Sequence, residues 1–107
     1  MKIRFVRAPF LSVNGMALYP FVLIKNPELK SNPEFVNHEH IHLRQQIELL
    51  IIPFYILYLA NYLVNLVIYK SHYQAYRNIV FEREAYAMDK NVTYLKSRKF
   101  WAWTSFL

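Results

Sequence analysis

Between Leu49 and Tyr69 the chain reads LLIIPFYILYLANYLVNLVIY, 21 residues without a charge. In a chain of only 107 residues such a run leaves two architectures. One is a helix that crosses a bilayer, for which about 20 apolar residues suffice. The other is the central helix of a single buried core. Pro53 would break a helix interior, and Asn61, Asn65 and the run's tyrosines suit lipid poorly. The run alone does not choose.

The length fits one domain, residues 1–107, with one modest core. Cysteine is absent, which excludes disulfides and thiolate metal sites and leans toward a reducing, cytoplasmic setting. Any metal must then be held by nitrogen and oxygen. The formal charge of +6 favours anionic partners such as phosphate, acidic lipid or acidic peptide. A hydrophobic content of 55% with a single glycine argues against disorder. The opening MKIRFVRAPFLSVNGMALYPFVLIK is interrupted by arginines, Asn14, Gly15 and Pro20, and does not read as a signal peptide.

Residues 2–25 carry short β-branched and aromatic runs, and Asn14-Gly15 between FLSV and MALYPFVLI predicts a hairpin turn. Pro20 cannot donate to a ladder, so the second strand is expected at a sheet edge or bulged, where an extended peptide can add. Asn32-Pro33-Glu34 reads as a cap, a first-turn proline and an acidic first turn, opening a helix that runs toward Pro53. From Gln74 to Ser97, Phe81, Ala85, Met88, Val92 and Leu95 form one stripe of a further helix. The tail SRKFWAWTSFL suits packing over the core or lying at a lipid interface.

The first of these helices carries Asn37-His38-Glu39-His40-Ile41-His42, which fits H-E-x-x-H. Two imidazoles one turn apart can chelate one zinc ion, and the glutamate beside the first can reach water on it. Such a site acidifies water and polarises a carbonyl while the carboxylate moves the proton. His38 and His42 are therefore candidate ligands and Glu39 a candidate base. A third ligand is needed, and Phe81-Glu82-Arg83-Glu84-Ala85-Tyr86 offers two carboxylates. By the helical step, the stripe lies nearer to Glu84 than to Glu82. His40 points off the ligand face and is expected at the surface. Gln45 is placed to hydrogen-bond near the site. His72 is expected in a loop and Tyr73 and Tyr76 in packing, with stabilisation of an oxyanion as the alternative role of the three.

HEHIHLRQQ together with FEREAYA resembles a very small zincin metallopeptidase of the gluzincin branch. About a third of the chain carries the likeness. In those enzymes a glutamate from a later helix completes the zinc site, in an E-x-x-A-D or E-x-E-A-D string. The resemblance implies Glu82 as third ligand, because Ala85 then falls on the family's alanine. The departure is Tyr86, where many gluzincins carry an aspartate that supports a ligand histidine.

This likeness bears on the apolar run. A single crossing would separate His42 from Glu82 by about 30 Å of helix, too far to share an ion. The run is therefore expected to reorient at Pro53 and pack under the histidine helix. The expected fold is α+β and zincin-like, an N-terminal β-hairpin followed by three helices. The expected function is a zinc-dependent metallopeptidase acting on a peptide or protein, without nucleic acid. Peripheral contact with a membrane or membrane protein stays open. The rival readings are a non-catalytic metal-binding or interaction module, and a small membrane protein with a coincidental motif.

Overall fold

The computed structural model describes residues 3–107, so Met1 and Lys2, at the start of the first expected strand, lie outside the described residues. The class is α+β: three short strands and five α-helices, with 3-10 turns at Pro27–Ser31 and Ala102–Phe106. The strands β1 (Arg4–Arg7), β2 (Gly15–Leu18) and β3 (Phe21–Ile24) form one sheet in the order β1-β3-β2.

A hairpin is present, but not at Asn14-Gly15. β2 and β3 pair antiparallel with Leu18 opposite Phe21, so the chain reverses at Tyr19-Pro20. Pro20, which has no donor to lose, suits that place. Asn14 already belongs to the ladder, its carbonyl accepting from Lys25 N at 2.8 Å. Gly15 has a negative φ, so no left-handed turn requires it. A Cβ there would collide with Cζ and Cε1 of Phe35; the glycine makes room for an aromatic ring on the first helix. The run expected as one edge strand is two: β2 lies at the edge, while β3 is central, with β1 rather than FLSV joining its other side in parallel.

Helix α1 spans Pro33–Glu48, with Asn32 Oδ1 accepting from Phe35 N and Pro33 in its first turn. Leu50 and Ile51 take positive φ values, which ends α1 before Pro53 and turns the chain into α2, Ile52–Tyr69. Pro53 sits in the first turn of α2, where its missing N–H costs no helical bond.

The helix expected over 74–97 is three pieces: α3 (His72–Arg77), α4 (Val80–Met88) and α5 (Tyr94–Ser97). The first break has a long-range cause. Ile79 is extended, and the orphan N–H of Val80 is taken by Asn61 Oδ1 of α2 at 2.8 Å. The second break is held by Asn37, whose Nδ2 reaches the carbonyls of Met88, Asp89 and Asn91 at 2.9–3.2 Å. Phe81 and Ala85 are accordingly buried, while Val92 is exposed.

Two apolar clusters flank α1. Ala17, Val22, Ile24 and Leu43 join it to the sheet. Leu49, Phe54, Ile79, Val80, Phe81 and Trp103 join α2, α4 and the tail. The tail thus packs on the core through Trp103, one of the two roles its composition allowed.

Helix α2 is not a buried central helix. Only Phe54 and Asn65 are enclosed, and α2 is the one described helix long and apolar enough to cross a membrane. At 100° per residue, Phe54, Tyr55, Tyr58, Asn61, Tyr62 and Asn65 fall on the half that meets the protein. Ile52, Ile56, Leu59, Leu63, Val67 and their aliphatic neighbours fall on the half that does not, and are exposed. The polar side chains face inward and the aliphatic ones outward.

Candidate metal centre

The 3.6-residue period puts His38 and His42 on one face of α1, and that face meets α4. Both imidazoles are buried. Their Nε2 atoms lie 3.2 and 3.0 Å from Glu82 Oε1. His38, His42 and Glu82 each offer a donor atom within 4.8 Å of the others. Ligands about 2.0–2.1 Å from a tetrahedral ion stand about 3.4 Å apart, close to the two Nε2–Oε1 separations here. Two nitrogens and one carboxylate oxygen also leave a fourth position free, as catalytic zinc sites require.

The reverse side of each ring is fixed. His38 Nδ1 lies 3.0 Å from Asp89 Oδ2, and His42 Nδ1 lies 2.8 Å from Gln45 Oε1. With Nδ1 of each ring engaged by those oxygens, Nε2 is the atom turned toward Glu82, a hydrogen-bond contact in the metal-free protein and the atom a metal would take in place of its proton. Glu82 is oriented in the same way. Tyr58 donates to its Oε2 at 2.5 Å, which reserves Oε1 for the histidine side.

The electrostatics follow from this enclosure. Burial opposes charge on His42, yet the adjacent Glu82 carboxylate outweighs it and pushes the imidazole up to about 9. Burial opposes charge on Glu82 as well; His42 and the hydrogen bonds from both rings hold its carboxyl well below the usual range. Burial raises Tyr58 far above the ordinary phenol value, with Glu82 adding to the effect, so it stays a neutral donor. Glu39, one residue on from His38, is also buried, and that burial raises its carboxyl despite the neighbouring histidines. A carboxylate of raised basicity is suited to taking a proton near neutral pH.

Two cavities meet at this point. One of 290 Å³ runs past Gly15, Met16, His42, Phe54, Tyr58 and Glu82. The other, of 640 Å³, opens past Asn14, Phe35, His72, Tyr73, Tyr86 and Asp89. His38, Glu39 and Tyr76 line both. The edge strand β2 borders the first cavity, as expected of it. Part of its edge is already used: Gln46 Nε2 donates to Ala17 O and Gln46 Oε1 accepts from Tyr19 N, both at 2.8 Å. By the alternation of a strand, the outward groups of Gly15 lie beyond that plug.

Glu84 is neither a neighbour of the histidines nor a surface charge. It is fully buried and bonded to Arg98, Tyr94 and Gln45. Stripe phase could not decide between the two, because both flanks of α4 are buried, Glu82 toward the histidines and Glu84 toward Arg98. The alanine register placed Glu82 with the histidines. His40 is half-buried rather than superficial, with Nε2 enclosed and without a partner among the described residues. His72 starts α3 rather than lying in a loop, and its Nδ1 is 2.7 Å from Tyr62 Oη.

Asp89 and Tyr58 escaped sequence reading. Asp89 follows Glu82 by seven residues, two turns on the same face, and that spacing was the available signal. It contacts His38 Nδ1 from behind, whereas the ring of Tyr86 meets His38 edge-on with centroids 4.5 Å apart. Tyr58 had no signal of its own inside the apolar run. No family model, curated protein or solved structure matches this chain.

Proposed function

We propose that the protein is a zinc-dependent metallopeptidase of minimal size, with His38, His42 and Glu82 holding the ion and Glu39 acting as general base. The observation that carries this reading is the convergence of two Nε2 atoms on Glu82 Oε1, with both Nδ1 atoms tied back to Asp89 and Gln45. Three potential ligand atoms from two helices are thereby gathered at one point, each held in orientation from behind. A zinc ion bound there supplies Lewis acidity, polarising the scissile carbonyl and acidifying water.

The chain's own residues perform the rest. Glu39 takes a proton from the attacking water as its oxygen bonds to the carbonyl carbon, then gives that proton to the amine nitrogen as the C–N bond breaks. Asp89 and Gln45 keep the imidazoles turned toward the ion. Tyr76, which borders both cavities and whose hydroxyl is 2.7 Å from Tyr86 Oη, is kept neutral chiefly by burial and faces the substrate space as a hydrogen-bond donor. An extended peptide has the outward backbone groups of Gly15 to pair with. The substrate is thus a peptide or protein, and the cofactor Zn2+.

Metal analysis and a peptide-library digest test this together. One zinc per chain is expected, with His38→Ala or His42→Ala reducing it to near zero, and Glu39→Gln is expected to retain zinc and abolish cleavage. Zinc without cleavage in the unmutated protein would make it a binding module. Iron in place of zinc would move the site toward oxygen chemistry, which the same donor set also serves.

A further inference from the structure

We propose that the outward face of α2 seats the protein in the plane of an anionic lipid bilayer. The metal plays no part in it. Ile52, Ile56, Leu59, Leu63, Val67 and Ile68 are each more than 50% exposed. They share one half of a helix about 27 Å long by its 1.5 Å rise. An apolar face of that length and continuity marks a contact with another phase or molecule.

Hydrocarbon suits it better than another protein chain does. Protein interfaces carry about one hydrogen bond per 100–200 Å², and no side chain on this face can donate or accept one. The helix's hydrogen-bonding side chains are turned inward, where Tyr58 reaches Glu82, Asn61 reaches Val80 N and Asn65 reaches Ala75 O. That is the reverse of a helix facing water.

The residues bordering the face suit the headgroup level. Lys70 is exposed just beyond its C-terminal end. At the other end, Trp101 N donates to Glu48 Oε2, which brings the aromatic tail to the α1–α2 corner. Phe100 is 75% exposed there, beside the exposed Lys99, and Leu50 and Ile52 are exposed on the corner itself. Aromatic residues and lysines flanking an aliphatic strip are the composition of the membrane interface. The +6 charge adds attraction to anionic lipid and repulsion between copies of the chain.

The helix lies in the plane rather than across it. Asn65 donates to Ala75 O and Tyr62 bonds His72, so α3 runs beside the middle of α2. A crossing would carry the exposed His72 and Gln74 to mid-bilayer. In the plane, those residues and the two cavities stay on the water side.

Flotation with vesicles of phosphatidylcholine mixed with phosphatidylglycerol tests the proposal, with circular dichroism to verify folding. The unmutated protein is expected to float. Ile56→Asn/Leu63→Asn/Val67→Asn, three changes at exposed positions, should lower the partition coefficient about a hundredfold or more. Lys70→Glu/Lys99→Glu should weaken binding severalfold on these vesicles and little on pure phosphatidylcholine. If the triple variant misfolds, quenching of tryptophan fluorescence by brominated lipid in the unmutated protein reports the same contact through Trp101. Absence of both flotation and quenching overturns the proposal, as does a folded triple variant that floats like the parent. A lipid-free dimer that the triple variant dissociates assigns the face to a second copy. Resistance to alkaline carbonate extraction assigns it to a spanning helix, and either result also overturns it.

Discussion

The substitution Glu84→Gln takes one carboxylate from a guanidinium that has two. Arg98 is forked between Glu84, through Nε–Oε2 at 2.5 Å and Nη2–Oε1 at 2.9 Å, and Glu48, through bonds of 2.6 and 3.1 Å. Removing one member of a buried ion pair costs about 3–5 kcal/mol. Glu48 remains bound to Arg98, so the lower end applies, about 3 kcal/mol. In a domain of this size each kcal/mol moves Tm by about 4 °C, which places the variant about 12 °C below the parent. Burial would raise Glu84, but Arg98, Tyr94 and Gln45 hold its carboxyl below the ordinary 4.5. The pair's contribution is therefore present above about pH 4.5 and lost as pH falls through that depressed value; the gap in Tm should close in acid. Zinc content should stay near one per folded chain, with affinity weakened about tenfold through the Gln45 link. Glu82→Gln is the control, since it should lose zinc. Thermal denaturation and metal analysis on the two variants check both halves. A Glu84→Gln protein that melts with the parent, or a Glu82→Gln protein that keeps its zinc, refutes the assignment of roles.

Three further outcomes follow from the same contacts. Asp89→Asn removes the charge behind His38 and should weaken zinc about 10–100-fold in a chelator competition; unchanged affinity would deny Asp89 its orienting role. In metal-free protein His42 rises from 6.5 to about 9 on folding, so its pairing with Glu82 contributes fully below about pH 6.5 and fades as pH rises through about 9. Zinc must displace that proton, so the stabilisation by zinc should grow over the same interval, and denaturation with and without metal that shifts in parallel would contradict this. Gly15→Ala drives a methyl into the ring of Phe35 and should cost about 1–3 kcal/mol by overpacking; Phe35→Leu should restore much of it, and a neutral Gly15→Ala would show that the ring moves aside freely.

What the sequence made legible was local. Asn32 and Pro33 announced α1 because a cap and a first-turn proline act on their own neighbours. The four-residue spacing of His38 and His42 likewise needs only helical geometry, and the alanine register led to Glu82. The failures have distant causes. Gly15 is small because of Phe35, twenty residues away, and so imitated a turn signal. Helix α4 begins at Val80 because Asn61 caps it from α2, which no local pattern encodes. The apolar run stands out by its length and its lack of charge, whereas its informative property is angular: its asparagines and tyrosines lie on one side. That segregation was present in the letters and lacked only a decision about which side meets the protein.

Gln46 stands against β2 like two atoms of a missing strand. Its amide gives Ala17 a donor and Tyr19 an acceptor with the geometry a neighbouring backbone would provide, and Tyr55 adds a hydroxyl to the same carbonyl. An exposed sheet edge is where chains zip together into fibres, and here the zip is jammed after one tooth. Any extended chain entering beside Gly15 must leave the sheet at Ala17. What it gains from backbone pairing is capped at one residue's bonds, and its grip on the cleft has to come from its side chains.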